Sequence, residues 1–236
     1  PYANLRSYDS IEPKSYLDWF RGFGDGIKHA LGEHGVFVLN IDSNIIKGAR
    51  QIFPYEIVVY LVKEVDLLFI ENIIWNKCKS LVMVGSKRPK GIYENCFVFA
   101  KDTNYKWYPD RVRYPYKEGS LKRMRSPLLK RFSRYGGSEG HKKWYPNPLG
   151  AFPKNILDIS SETRRVSDLH TSVYPLKLVD WFLDAFTDEG DIVVDPWSGS
   201  GTTVLSSMRK RRRGMGIEIN RDFYLDSVRR AKTLTL

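Results

Sequence analysis

The sequence predicts an α/β fold with a sheet that is rich in parallel strands. Apolar, β-branched and aromatic segments typical of strands alternate with segments whose apolar residues recur at helical spacing. The alternation continues on both sides of a basic, turn-rich stretch, which favours a sheet covered by helices and interrupted by an insertion. A hydrophobic content of 42% in 236 residues is enough for a substantial core. We therefore expect one large domain with an insertion.

Each predicted element follows from a local pattern. Strands are expected over 35–41, 67–75, 93–101, 191–195 and 214–219, where β-branched and aromatic residues are enriched. Helices are expected over 14–31, 54–65, 174–186, from the glycine-rich loop to about 211, and over 221–231. Pro54 and Pro175 stand at the starts of their helices, where a missing backbone N–H is tolerated. The segment 76–91 is expected to be a loop.

The segment DIVVDPWSGSGTTVL, from Asp191 to Leu205, combines a strand, a glycine-rich turn and the start of a helix. The glycines let the backbone turn sharply and approach a ligand, and the free N–H groups of the helix face the loop. No lysine follows the last glycine, so this is not a phosphate-binding P-loop. Glu218 ends the next predicted strand, where a carboxylate can accept both ribose hydroxyls of a nucleoside cofactor. A structural turn beside a surface glutamate is the alternative.

Positive charge is concentrated in one segment. The net charge is +11, and residues 106–154 contain 13 Lys or Arg but only 3 Asp or Glu. The same segment is rich in aromatic residues and turn signals, a composition that suits a phosphate backbone and unstacked bases. A solvated surface loop is the alternative. The candidate DNA-contacting residues are Arg111, Arg113, Lys122, Arg123, Arg125, Lys130, Arg131, Arg134, Lys142 and Lys143.

The composition disfavours several other classes of protein. No apolar run approaches the roughly 18 residues that a membrane span requires, and no secretory leader is recognisable at the start. The chain has two cysteines, Cys78 and Cys96, and four scattered histidines. These residues make neither a disulfide framework nor a metal-ligand spacing. We therefore expect a cytoplasmic protein without a bound metal.

Five motifs together resemble those of the S-adenosylmethionine-dependent DNA amino-methyltransferases. DPWSGSGTT is similar to the family's cofactor motif DPFxGSGTT, and RGMGIEINRDFY is similar to the following strand with its ribose-binding acid. LHTSVYPLKLVDWFL resembles the helix motif that precedes the glycine loop. IIWNKCKSLVMVGSKRPKGIYENCFVFAK resembles the family's W-x-K … E-x-(F/I)-x-F-x-K block. PYANLRSYD resembles the back half of the catalytic (S/D/N)-P-P-Y motif.

The order of these motifs resembles the beta class of this family, in which the cofactor half comes last. The resemblance implies a Rossmann-like, seven-stranded methyltransferase sheet in circularly permuted order, with an inserted target-recognition region. The expected organisation is a catalytic half over 1–104, a DNA-contacting insert over 105–154 and a cofactor-binding half over 155–236. This order explains why the glycine-rich loop lies so late in the chain.

The resemblance also implies roles for individual residues. Pro1 and Tyr2 are the expected catalytic residues, with Tyr2 stacking on a base that has left the duplex. Residues upstream of Pro1 are expected to supply the front of the motif. Trp197 replaces the usual Phe, and Thr171 replaces the common Pro after His170. The expected S-adenosylmethionine contacts are Asp195, Pro196, Trp197, Gly199, Ser200, Gly201, Thr202 and Glu218.

The expected function is methyl transfer to cytosine N4 in double-stranded DNA, in a restriction–modification system with a cognate endonuclease as partner. Three alternatives remain open: adenine N6 as the target, an RNA or protein methyltransferase on the same fold, and a non-catalytic nucleic-acid-binding relative. Carbon-5 methylation is not expected, because neither Cys78 nor Cys96 follows a proline. Asn40 and Asp42, at the end of a predicted strand, could line the cleft or cap a helix, and the residues at another strand end, Trp75, Asn76 and Lys77, are similar candidates. The resemblance implies that Glu94 faces the substrate cleft.

Overall fold

The computed structural model describes residues 13–78, 87, 89–125, 146–161 and 173–233, which form a mixed α/β protein. In chain order, helices α1 to α7 are Tyr16–Arg21, Gly24–Ala30, Phe53–Lys63, Glu118–Arg125, Leu176–Phe186, Thr202–Arg209 and Arg221–Lys232. Strands β1 to β8 are Val36–Ile41, Ile45–Ile46, Ala49–Arg50, Leu68–Asn76, Tyr93–Ala100, Ile156–Asp158, Ile192–Asp195 and Arg213–Gly216.

The described strands form one four-stranded sheet and two two-stranded sheets. The larger sheet has the order β1-β5-β4-β6, in which β5 is antiparallel to both neighbours and β4 is parallel to β6. Strands β7 and β8 pair in parallel, whereas β2 and β3 form a short antiparallel ribbon. The expectation of a parallel-rich sheet is therefore wrong for the four-stranded sheet. Strands β4 and β5 are consecutive in the chain, and the described part of their connection contains no helix. Antiparallel neighbours can be joined in this way, because they need no crossover helix.

Most predicted elements are present, but the predicted helix over 14–31 is divided. A 3-10 turn over Pro13–Ser15 leads into α1, which ends at Arg21, and α2 begins only at Gly24. The helical periodicity of the apolar residues does not reveal this interruption between α1 and α2. The short elements β2, β3, β6 and α4 were not predicted.

The main core lies between the four-stranded sheet and helices α1 and α3. Helix α3 buries Phe53, Ile57 and Leu61, which belong to the same apolar cluster as Tyr16 and Phe20 of α1. Strands β1 and β5 contribute further apolar residues to this cluster, namely Leu39, Ile41, Phe97 and Phe99. Burying these side chains supplies the main stabilisation of this part of the chain.

A half-buried ion cluster joins the segment after β5 to the residues just before β7. Lys106 Nζ lies 2.5 Å from Asp191 Oδ2 and 3.1 Å from Asp188 Oδ2. The hydrogen bond to Asp191 raises the pKa of Lys106. Desolvation raises the pKa of Asp191, but hydrogen bonds from the Asp188 backbone and from Lys106 outweigh it, so the net pKa is lowered. Both groups therefore remain charged and attract each other across the physiological range.

The chain divides into two compact units. One unit comprises Pro1–Trp107 with Asn155–Leu236, and the other comprises Tyr108–Lys154. All the described strands belong to the first unit. The second unit contains an isolated β-bridge between Tyr114 and Ala151. The second unit contains α4 and a 3-10 turn over Pro109–Val112.

The close approach of α2 to α3 generates a stability prediction. A Cβ at Gly24 would lie 2.1 Å from Tyr60 Oη and 2.7 Å from Val65 Cγ2. Gly24→Ala is therefore expected to lower the free energy of unfolding by about 2 kcal/mol, measured by urea denaturation. Gly26→Ala in the same helix is the control, because its Cβ would have nothing within 4 Å. That variant should be neutral or slightly stabilising, and equal losses in both variants would contradict the packing argument.

Candidate functional site

The carboxylate of Asp195, the last residue of β7, organises the glycine-rich loop. Its Oδ1 accepts a hydrogen bond from Trp197 N at 3.1 Å. Its Oδ2 accepts from Thr203 Oγ1 at 2.6 Å and from Tyr174 Oη at 3.0 Å. The two hydroxyl oxygens are themselves 2.7 Å apart. One side chain therefore connects the loop, the first turn of α6 and the segment before α5.

The backbone of the loop depends on glycine at two positions. Gly199 and Gly201 have φ values of 53° and 79°, in the left-handed region that favours glycine. A Cβ at Gly201 would also lie 2.7 Å from the Cβ of Ser227 on α7. Ser198 N donates to Ile217 O at 2.9 Å, which fixes the loop beside the residues that follow β8. The loop is thus shaped from both sides and leads directly into α6.

Glu218 lies beside the glycine-rich loop, but β8 ends at Gly216, so the predicted strand over 214–219 is too long and Glu218 stands two residues beyond it. Its Oε2 accepts from Gly199 N at 2.8 Å, and its Oε1 accepts from Asn220 N at 2.8 Å. A carboxylate has about four acceptor positions, so each oxygen can accept a further hydrogen bond. The arrangement brings a half-buried acceptor pair next to the backbone of the loop.

The indole of Trp197 packs on the start of the first unit. Its ring centroid lies 5.8 Å from Phe20, 5.2 Å from Phe23 and 6.0 Å from Trp19. These aromatic contacts join the glycine-rich loop to α1 and to the residues between α1 and α2. A contact between Trp197 and a cofactor stays a prediction.

Two buried hydroxyl residues lie on either side of Gly201. Ser200 is 4% exposed and Thr202 is 3% exposed, whereas Pro196 is half-buried. Among the described residues, Thr202 Oγ1 has no hydrogen-bond partner. Sequence reasoning selected Thr202 but did not select Thr203, which makes the contact with Asp195. Two adjacent threonines at a helix start give no local signal of which one turns toward a carboxylate.

Tyr174 is the second residue that sequence reasoning missed. It immediately precedes Pro175 and was treated only as part of the helix motif. Its hydroxyl reaches Asp195 and Thr203 across separations of 21 and 29 residues. The spacing of neighbouring residues in the sequence cannot reveal a contact between residues so far apart in the chain.

The candidates at the strand ends of the larger sheet make contacts within the protein. Asn40 Nδ2 donates to Asn95 O at 3.2 Å, and Asp42 Oδ1 accepts from Arg50 Nη1 at 3.0 Å. Glu94 is 6% exposed and pairs with Lys77. A role for these residues in a cleft stays a prediction. Pro1 and Tyr2, the expected catalytic residues, lie outside the described residues.

In the second unit, Arg113 and Arg111 are placed very differently. Arg113 Nε lies 2.6 Å from Asp110 Oδ1, and Arg113 Nη1 donates to Gly150 O at 2.9 Å. Its side chain is only 13% exposed. Arg111 is exposed, and its guanidinium carbon lies 3.8 Å above the Tyr108 ring. The geometry favours a structural role for Arg113, whereas the position of Arg111 is compatible with a partner in solvent.

The remaining basic candidates either belong to α4 or lie beyond the described part of the chain. Lys122 is exposed on α4 and pairs with Glu118 at 2.9 Å, a surface contact worth little. Arg123 and Arg125 also belong to α4. The candidates outside the described residues are Lys130, Arg131, Arg134, Lys142 and Lys143. DNA contact by any of these side chains stays a prediction.

A family model described as DNA methylase matches residues 1–229. The chain belongs to this DNA methylase family. The match includes the glycine-rich loop, Glu218 and the basic unit. The resemblance to the DNA amino-methyltransferases is therefore confirmed.

Comparisons with individual methylases agree with this assignment. The chain is 26% identical over 245 residues to the Type II methyltransferase M.PvuII of Proteus hauseri, covering 94% of this chain and 73% of that protein. The crystal structure of the cytosine-N4-specific PvuII methyltransferase matches with a TM-score of 0.72 at 22% identity, over 97% of this chain and 74% of that one. A Thermus thermophilus protein solved with S-adenosyl-L-methionine matches with a TM-score of 0.59 at 18% identity, over 93% and 78% of the two chains. The structural matches show the methyltransferase fold.

The described part of the chain contains neither a membrane-spanning helix nor a metal-binding cluster. No helix there is long and apolar enough to cross a membrane. No group of three or more His, Cys, Asp or Glu side chains in the same residues is placed to hold a metal ion.

The shared acceptor at Asp195 leads to a second stability prediction. Thr203→Val removes a donor to Asp195 and a partner of Tyr174, so we expect the free energy of unfolding to fall by about 1–2 kcal/mol in urea denaturation. Thr233→Val is the matched control, because Thr233 Oγ1 donates to Arg230 O at an exposed helix end. That control should change stability by less than about 0.5 kcal/mol. A comparable loss in the two variants would show that the Asp195 network contributes no special stability.

Proposed function

We propose that this DNA methylase transfers a methyl group from S-adenosylmethionine to N4 of cytosine in double-stranded DNA. The observation that carries the proposal is the position of Glu218, whose carboxylate lies 2.8 Å from the N–H of Gly199 in the glycine-rich loop. A carboxylate at a strand end beside such a loop is how an α/β protein binds the ribose of a nucleoside cofactor.

The residues present fit the cofactor in three respects. Glu218 retains acceptor positions for the two ribose hydroxyls, since each of its oxygens makes one backbone hydrogen bond. The buried Thr202 hydroxyl has no protein partner among the described residues, so it can bind a polar group of a ligand without losing an existing hydrogen bond. Gly199 and Gly201 let the backbone approach that ligand closely.

The chemistry requires alignment more than acid–base strength. Bound S-adenosylmethionine supplies a methyl group on a positively charged sulfur, which is a strong electrophile. The exocyclic amine of cytosine is a poor nucleophile, so it must be held in line with that methyl group while acceptors draw on its hydrogens. In this proposal Pro1 fixes the shape of the catalytic loop and Tyr2 stacks on the extruded base.

Cytosine N4 is preferred over adenine N6 for two reasons. PYANLRSYD resembles the continuation of the Ser-type catalytic motif, which goes mostly with cytosine. The PvuII enzyme, with a TM-score of 0.72 to this chain, is described as cytosine-N4-specific. Relatives are named Type II methyltransferases, which supports a role in a restriction–modification system with a cognate endonuclease.

We further propose that the described strands belong to one seven-stranded sheet in circularly permuted order. Among the described strands, β7 pairs only with β8, and β1 pairs only with β5. Each of these edges can therefore accept another strand. The position of the glycine-rich loop after the basic unit supports the permuted order, with halves over 1–104 and 155–236 and an insert over 105–154.

The product of the reaction tests the proposed function directly. The protein is incubated with unmethylated plasmid and S-adenosylmethionine, and the DNA is digested to nucleosides for mass spectrometry. We expect N4-methyldeoxycytidine. N6-methyldeoxyadenosine would retain the enzyme class and overturn the target base. The absence of both products, from a protein that binds the cofactor, would favour the non-catalytic alternative.

The role of Glu218 is tested by cofactor binding alone. Glu218→Gln removes the charge that strengthens hydrogen bonds to the ribose, so we expect a loss of about tenfold to hundredfold in S-adenosylmethionine affinity by titration calorimetry. Glu189→Gln is the control, because Glu189 is exposed and pairs only loosely with Arg211 at 3.6 Å. Equal affinities of the Glu218→Gln variant and the unmodified protein would remove the observation on which the proposed function rests.

A further inference from the structure

The second unit contains a turn that is held rigidly over 146–151. Asn147 N donates to Tyr116 Oη at 3.0 Å. Asn147 Oδ1 accepts from Leu149 N at 2.9 Å, and Asn147 O accepts from Gly150 N at 3.0 Å. The hydrogen bonds of one asparagine therefore fix both the first residues of the turn and the point at which the chain reverses direction.

The exit of the turn is fixed equally firmly. Tyr114 and Ala151 exchange two backbone hydrogen bonds, of 3.1 Å and 2.7 Å. Arg113 Nη1 donates to Gly150 O at 2.9 Å. Gly150 has a φ of 113°, and a Cβ there would lie 2.3 Å from Tyr114 O. The chain can therefore follow this path only with glycine at position 150.

This rigid turn presents two large apolar side chains to solvent. Leu149 and Phe152 are each 60% exposed. Holding apolar surface in water is unfavourable, and a well-ordered turn gives these side chains little chance to fold back onto the protein. Exposure alone does not single out these two side chains, since others such as Ile52 are exposed to a similar degree; their place among basic residues does.

The surroundings of these two side chains are basic. The Arg113 guanidinium carbon lies 5.6 Å from the centre of the Phe152 ring, and exposed Arg111 is two residues earlier in the chain. Tyr116, whose hydroxyl accepts a hydrogen bond from the turn, is followed in the chain by Lys117 and the basic helix α4. A partner that fits this surface has a polyanionic exterior and an apolar interior that side chains can enter. Duplex DNA has both, since its phosphates are anionic and apolar side chains can insert between its stacked bases.

We propose that Leu149 and Phe152 form an apolar tip that inserts between stacked bases of DNA while the surrounding basic residues hold the phosphates. This inference rests on the proposed function, since it takes DNA as the substrate. Unstacking a base step costs free energy, and a side chain that fills the opened space offsets part of that cost. A turn that is already rigid loses little conformational freedom when it inserts.

The test compares the full chain on two duplexes of the same sequence, one intact and one with a single abasic position. Because the abasic duplex already contains an opened step, we expect the unmodified protein to bind it about tenfold more tightly. The double variant Leu149→Ser/Phe152→Ser should bind the two duplexes with affinities within about twofold of each other. Phe152→Leu should retain the preference, because it preserves an apolar side chain. Thermal unfolding of each variant controls for folding.

Two control variants separate the tip from general effects. Leu121→Ser removes an exposed apolar side chain from α4, where Leu121 is 40% exposed, and should leave the preference unchanged. Arg111→Ala should weaken binding to both duplexes equally and reduce the salt dependence, as loss of a phosphate contact does.

Several results would overturn the proposal. A double variant that keeps its preference for the abasic duplex, or an unmodified protein that binds both duplexes equally, would exclude insertion while leaving the proposed methylation intact. Binding of anionic phospholipid vesicles that depends on Leu149 and Phe152, without the preference between duplexes, would assign the tip to a membrane surface. An unmodified protein that binds no duplex and forms no methylated nucleoside would overturn both this inference and the proposed function.

Discussion

The hydrogen bonds to the Asp195 carboxylate are the interaction on which the candidate cofactor site depends. Three donors from separate parts of the chain converge on this group: Trp197 N, Thr203 Oγ1 and Tyr174 Oη. A half-buried carboxylate requires such donors because its desolvation is costly when it is left unpaired. Because the aspartate needs these donors, its hydrogen bonds also fix where the glycine-rich loop begins and how α6 starts.

Glycine alone would not produce a defined site. Gly199 and Gly201 permit the required turn, but they lose much conformational entropy on folding and do not select one path. Selection comes from contacts at each end of the loop. Trp197 packs on Phe20 at the start of the loop, and Gly201 lies against Ser227 at its end. Glu218 then meets a loop backbone whose position is already determined, as preorganised ligand binding requires.

The sequence predicts the local parts of this structure well and the long-range parts poorly. Strand β7, the loop and Glu218 were predicted because strand, glycine-rich turn, helix and acidic strand end follow one another in a short segment. The division of the helix over 14–31 and the antiparallel direction of β5 were missed, because both depend on packing against distant elements. Tyr174 and Thr203 were missed for the same reason, since their roles arise from tertiary hydrogen bonds and not from spacing.

Two arginines of the second unit show why charge can predict a binding region without predicting which residues would bind. Arg111 and Arg113 are two residues apart and chemically identical, and both contribute to the positive charge of 106–154. Arg113 is 13% exposed, with hydrogen bonds to Asp110 and Gly150, whereas Arg111 stacks on a tyrosine at the surface. A unit with so few acidic residues repels itself, so part of its positive charge must be neutralised or hydrogen-bonded internally for the rest to be held in place. Arg113 performs that internal role, because its hydrogen bond to Gly150 O supports the turn that lies beside exposed Arg111 in this unit.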